Sequence, residues 1–113
     1  MEKEMKTTQS INCDIPVTNG EYFNGKDFWL PGNRVYTLII DYPFSKEAEY
    51  QIKTKKGMGL AGLVKQIYKC YIRKYKAAER DDDDGYWHGI EDLVIEGIRV
   101  NHKKKTIRLD VGS

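Results

Sequence analysis

Gly57 to Arg80, GMGLAGLVKQIYKCYIRKYKAAER, is the stretch on which the architecture turns. At 3.6 residues per turn, Leu60, Leu63, Val64, Ile67, Tyr68, Tyr71, Tyr75 and Ala78 share one broad face of a helix. Lys65, Lys69, Arg73, Lys76 and Arg80 form a narrow stripe opposite. The first face requires a core. The second meets solvent or a partner.

Outward from this helix the period changes to two. On the N-terminal side, Tyr36, Leu38, Ile40 and Tyr42 alternate with Val35, Thr37, Ile39 and Asp41, which suits a strand covered on both faces and ended by Pro43. Ala48, Tyr50, Ile52 and Thr54 then alternate with Glu49, Gln51, Lys53 and Lys55, one face apolar and one wet. The two read as an antiparallel hairpin. On the C-terminal side, the four carboxylates of Asp81–Asp84 repel one another at the negative end of the helix dipole and demand a loop. Leu93 to Val100 and Thr106 to Val111 follow as strands joined by the polar turn 101–105, with Val94, Ile98, Val100, Ile107, Leu109 and Val111 facing inward. Gly97 marks a bulge or a close approach by another group.

The expected fold is therefore α+β: a four-stranded sheet in the order strand-strand-helix-strand-strand, with the one long amphipathic helix packed on one face. Residues 35–113 form this single compact domain. Residues 1–34 form a loop-rich, irregular N-terminal extension with partly disordered ends, in which INCDIPV and EYFNGKDFWL supply one or two short strands or a packed loop. Trp29, Phe28 and Leu30 tuck against the body as a lid. The hairpins meet either through an antiparallel edge or through a parallel central pair, as in a ubiquitin-like grasp. Spacing alone leaves both open.

A chain of 113 residues, 40% hydrophobic, is large enough for one core and too small for two. No apolar run approaches the roughly 20 residues of a membrane span, and MEKEMKTTQS has no apolar block of the kind secretion requires, so a soluble cytoplasmic or otherwise intracellular protein is expected. Cys13 and Cys70 are a poor match to a disulfide scaffold and read as free thiols. The formal charge of +2 hides a segregation: residues 1–52, 53–80, 81–96 and 97–113 carry −3, +8, −7 and +4. Such blocks attract one another in a fold or offer separate fields to separate partners.

Four constellations bear on chemistry. Gly57-Met58-Gly59-Leu60-Ala61-Gly62 has the GxGxxG form, but no second βαβ unit accompanies it, and the simpler reading is a tight turn with close helix packing. Asp82, Asp84, Gly85 and Glu91 fall where a calcium loop has ligands, yet Arg80 occupies the leading place, so no metal site is assigned. Trp87, His88 and Asp92 form a candidate functional cluster, since an imidazole held by a carboxylate is raw material for acid–base work. The stripe Lys65, Lys69, Arg73, Lys76 and Arg80 spans about 23 Å of helix and is a candidate polyanion-binding row, though no aromatics interleave with it to stack on bases.

No nucleophile with a partner is signalled, and neither cofactor nor catalytic residue is assigned. The leading expectation is a small non-enzymatic accessory or adaptor domain acting through protein–protein contact. Its surface would be the outer sheet face, with Glu49, Gln51, Lys53, Thr106, Arg108 and Asp110, or a free strand edge that would also permit a homodimer. The alternative is nucleic-acid binding by the basic helix face. The third is a small enzyme centred on His88 and Asp92.

Overall fold

The computed structural model describes residues 7–18, 28–81, 83 and 89–112. Strands β1 (Thr8–Pro16), β2 (Trp29–Leu30), β3 (Val35–Ile40), β4 (Ala48–Lys53) and β5 (Met58–Gly59) precede helix α1 (Leu60–Arg80). A 3-10 turn at Ile90–Asp92 then leads into β6 (Val94–Asn101) and β7 (Thr106–Gly112).

Both expected hairpins form. In the first, Tyr36 lies opposite Ile52 and Leu38 opposite Tyr50. In the second, Ile98 lies opposite Leu109. They join through β3 and β7, which run parallel with Leu38 beside Ile107. Of the two connections left open by sequence, the grasp-like one is built. Helix α1 carries the chain between β4 and β6, strands of the same direction, and a change of position in a sheet without a change of direction needs such a crossover.

The sheet has five strands where four were expected, in the order β1-β6-β7-β3-β4. The N-terminal residues supply an edge strand, antiparallel to β6, in place of an irregular extension. The reason is a short period of two: Ile11, Cys13 and Ile15 are covered while Ser10, Asn12 and Asp14 are exposed. A polar start at Thr8 masks it.

Two details of α1 and β6 also differ. Helix α1 begins at Leu60 rather than Gly57, because Met58 and Gly59 pair instead with Leu30 and Trp29 in a separate two-stranded ribbon. Gly57 has φ +106°, which no helical residue adopts. In β6 the register with β7 shifts between Ile95 and Gly97. This bulge exchanges the faces of the residues before it, so Ile95 is buried in the role expected of Val94, which is only partly covered.

Leu60, Leu63, Val64, Ile67 and Tyr71 of α1 close on Tyr36, Leu38, Ile40, Ile98 and Ile107 of the sheet in one apolar cluster. Tyr68 and Tyr75 lie at its margin. Cys13 and Cys70 are free thiols, as expected, with Cys70 buried. Among the described residues, no helix is long and apolar enough to cross a membrane.

Candidate functional site

Strand side chains alternate between faces, so the residues that α1 does not cover point the other way. Glu49, Gln51, Lys53, Arg108 and Asp110 are exposed on that face and Thr106 is half-buried. Strand pairing sets them in rows across the sheet. Ser10 lies opposite Arg99, Arg99 opposite Arg108, Arg108 beside Ile39, and Ile39 opposite Glu49. A parallel row holds Thr8, Asn101, Thr106, Thr37 and Gln51. Between the rows and the β6–β7 turn lies an open groove of about 480 Å³, with Arg99, Arg108, Lys104 and Ile39 in its lining.

Two guanidinium groups directly opposite one another repel. Arg99 is relieved by Asp110, whose Oδ1 accepts from Nη2 at 2.9 Å. Gly97 makes this possible. Asp110 lies so close over it that an added Cβ would stand 2.8 Å from Oδ2, which answers the sequence signal of a close approach. The Arg108 side chain has no hydrogen-bond or ion-pair partner among the described residues. Arg99 and Lys104 escaped the sequence reading, yet counting outward from the turn finds them: closure at Asn101 and Thr106 forces Arg99 opposite Arg108.

The candidate helix row is exposed throughout, at Lys65, Lys69, Arg73, Lys76 and Arg80. Among the described residues, two of its members are engaged within the chain. The Arg73 guanidinium lies 4.9 Å from the centroid of the Tyr50 ring, and Arg80 pairs with Asp81 at 3.5 Å. Lys74, on the other side of the helix, is only 6% exposed, with its ammonium 5.0 Å from the centroid of Phe44. It belongs to packing.

Trp87 and His88 lie outside the described residues, as do Asp82, Asp84 and Gly85. Asp92 is exposed at the end of the 3-10 turn, its amide donating to the Gly89 carbonyl at 3.0 Å. Its carboxylate and that of Glu91 act on Tyr75: burial first, then these two charges and Tyr42, push the Tyr75 hydroxyl up to about 12. Asp83 is only 5% exposed and accepts from the Ser45 and Lys46 amides at 3.0 and 3.2 Å. That carboxylate of the acidic run fastens the β3–β4 loop.

The glycine-rich turn before α1 packs under an aromatic ring. A side chain on Gly57 would strike the Trp29 indole, and one on Gly59 would touch it. Phe28 and Leu30 are buried as a lid would require, while Trp29 itself is 56% exposed.

His102 is the polar centre that sequence reading passed over. Its Nε2 lies 3.1 Å from Gln9 Oε1, which can only accept, so Nε2 carries the proton and Nδ1 receives the Tyr36 hydroxyl at 2.9 Å. Burial, and then the Arg34 guanidinium nearby, hold its pKa below the ordinary 6.5. The ring is a neutral tie between β1, β3 and the β6–β7 turn. No family model, curated protein or solved structure matches the chain.

Proposed function

We infer that this chain is a small non-enzymatic adaptor domain that works through protein–protein contact on the open face of its sheet. One observation carries the reading: α1 packs against one face of the sheet in a single apolar cluster, while on the other face Glu49, Gln51, Lys53, Arg108 and Asp110 are exposed. A polar surface of mixed charge with an open groove suits specific contact with a partner. The outer edge of β4, which among the described residues pairs only with β3, extends the surface with main-chain donors and acceptors that a partner strand, including one from a second copy, can use. A photo-crosslinker at Gln51 tests the reading against the same group at Lys69 on the helix. Adducts from Gln51 and none from Lys69 are expected. The reverse pattern would transfer the contact surface to the helix.

A second reading, nucleic-acid binding, is favoured by the exposure of all five cations of the helix row. Retention on nucleic acid that falls steeply with salt, and is lost when Lys69 and Arg73 are changed to Glu, would establish it in place of the first.

A further inference from the structure

The geometry points to a defined occupant for the groove between β1, β6 and β7: an acidic segment of a protein partner, gripped by Arg99 and Arg108. This rests on reading the open face as the contact surface and specifies what that surface recognises.

The groove carries an unbalanced charge. Arg99 and Arg108 are direct cross-strand neighbours in an antiparallel pair, an arrangement that costs stability unless an anion lies between them. Asp110 supplies one negative charge, on the Arg99 side. The Arg108 guanidinium and the Lys104 ammonium have no partner among the described residues, and both residues border the same groove of about 480 Å³. The groove therefore keeps an excess of two positive charges beside the hydroxyls of Ser10 and Thr106. Guanidinium forks match carboxylate and phosphoryl oxygens in geometry as well as charge, and the hydroxyls can donate to the same oxygens.

Charge complementarity also limits the occupant's size. Along the row, the cations of Arg99 and Arg108 are followed by neutral Ile39 and then by Glu49. Along β7, two residues beyond Arg108, stands Asp110. The positive field is thus a compact patch with acid on two sides. A polynucleotide, with a phosphate at every step, would run onto those carboxylates; a peptide with one or two acidic side chains ends within the patch. Ile39 in the lining gives the peptide's aliphatic portion an apolar contact.

The test uses a short fluorescein-labelled Asp/Glu peptide, a version carrying phosphoserine, and an Asn/Gln control of equal length, added to the full chain and followed by anisotropy and by amide shifts in nitrogen-15 spectra. Saturable shifts at Ser10, Arg99, Thr106 and Arg108 are expected with either acidic peptide and not with the control. Arg108→Gln, at an exposed position that leaves the core intact, should weaken binding about tenfold, the scale of one charge-assisted hydrogen bond. Asp110→Asn should tighten it by about threefold through release of the competing carboxylate, a gain that no loss of folding can imitate. The proposal falls if shifts are absent or gather at Lys65, Lys69 and Lys76, if both substitutions leave affinity unchanged, or if inorganic phosphate alone binds as tightly as the peptides. It also falls, while the contact reading stands, if a partner cross-linked through Gln51 is captured equally well by the Arg108→Gln chain. If Gln51 captures no partner and the peptides do not bind, both readings fail together.

Discussion

At His102, two neutral hydrogen bonds couple folding to the protonation of one ring. Protonating Nδ1 puts a donor against the Tyr36 hydroxyl, which must then turn its proton elsewhere, in a partly buried place already facing Arg34. The folded state therefore binds this proton less readily than the unfolded chain, whose imidazole titrates near 6.5. Above that value both states are neutral and the group contributes no pH dependence. As pH falls through 6.5 the unfolded state gains protons first, so stability falls until the folded-state value is passed. Urea midpoints measured from pH 7.5 down to 5 should decline in the native protein, and His102→Asn should flatten that part of the curve. Tyr71 offers a contrasting case. Its hydroxyl donates to the Tyr42 carbonyl at 2.8 Å inside the core, and burial drives its pKa far above the usual phenol value. Tyr71→Phe should cost about 1 kcal/mol in denaturant unfolding, the net worth of one neutral hydrogen bond. Neither residue's partner was legible in the sequence. Periodicity reports which face a side chain takes, and a hydrogen bond spanning 66 positions, as from Tyr36 to His102, leaves no local trace. The same blindness hid the buried roles of Lys74 and Asp83.

Among the elements, α1 was the most legible, because its apolar residues recur over nearly six turns and only one face can be satisfied by a sheet. Six of the eight residues assigned to that face are buried, and Tyr68 and Tyr75 flank them. Ile67 is fully buried at the middle of the helix. Ile67→Ala should destabilise the fold by about 2–5 kcal/mol through lost transfer energy and a residual cavity, whereas Lys69→Glu, exposed on the opposite side, should move it by about 0.5 kcal/mol or less. Parallel urea titrations of the two variants measure that contrast directly. The strands were legible where alternation ran for six residues, as in β3 and β4. The ribbon of β2 and β5 was not, since two-residue strands have no period to detect. The bulge at Ile95–Gly97 was signalled by its glycine, but the consequence for Val94 followed only once the register with β7 was known. Of the candidate sites, the cationic helix row could be listed from spacing alone, while the Arg99–Arg108 pair required the hairpin's closing residues to be fixed first.

On the scale of the whole molecule, a strand order of β1-β6-β7-β3-β4 places the two ends of the described chain far apart. Thr8 pairs with Asn101, beside the β6–β7 turn, whereas Gly112 pairs with Val94 at the other extremity of the same hairpin. Because β1 and β7 each run antiparallel to β6, they point in the same direction, and Thr8 and Gly112 stand at opposite poles along the strand axis. Inter-strand hydrogen bonds lie across that axis. Tension applied between these two residues therefore loads the β1–β6 and β6–β7 ladders in shear, so that many bonds must yield at once. Tension between Val94 and Gly112, neighbours on adjacent strands, peels the same bonds one after another. Single-molecule pulling through handles at Thr8 and Gly112 should meet a higher rupture force than pulling through handles at Val94 and Gly112, which makes this fold a tether that holds under lengthwise load and opens like a zip under a sideways one.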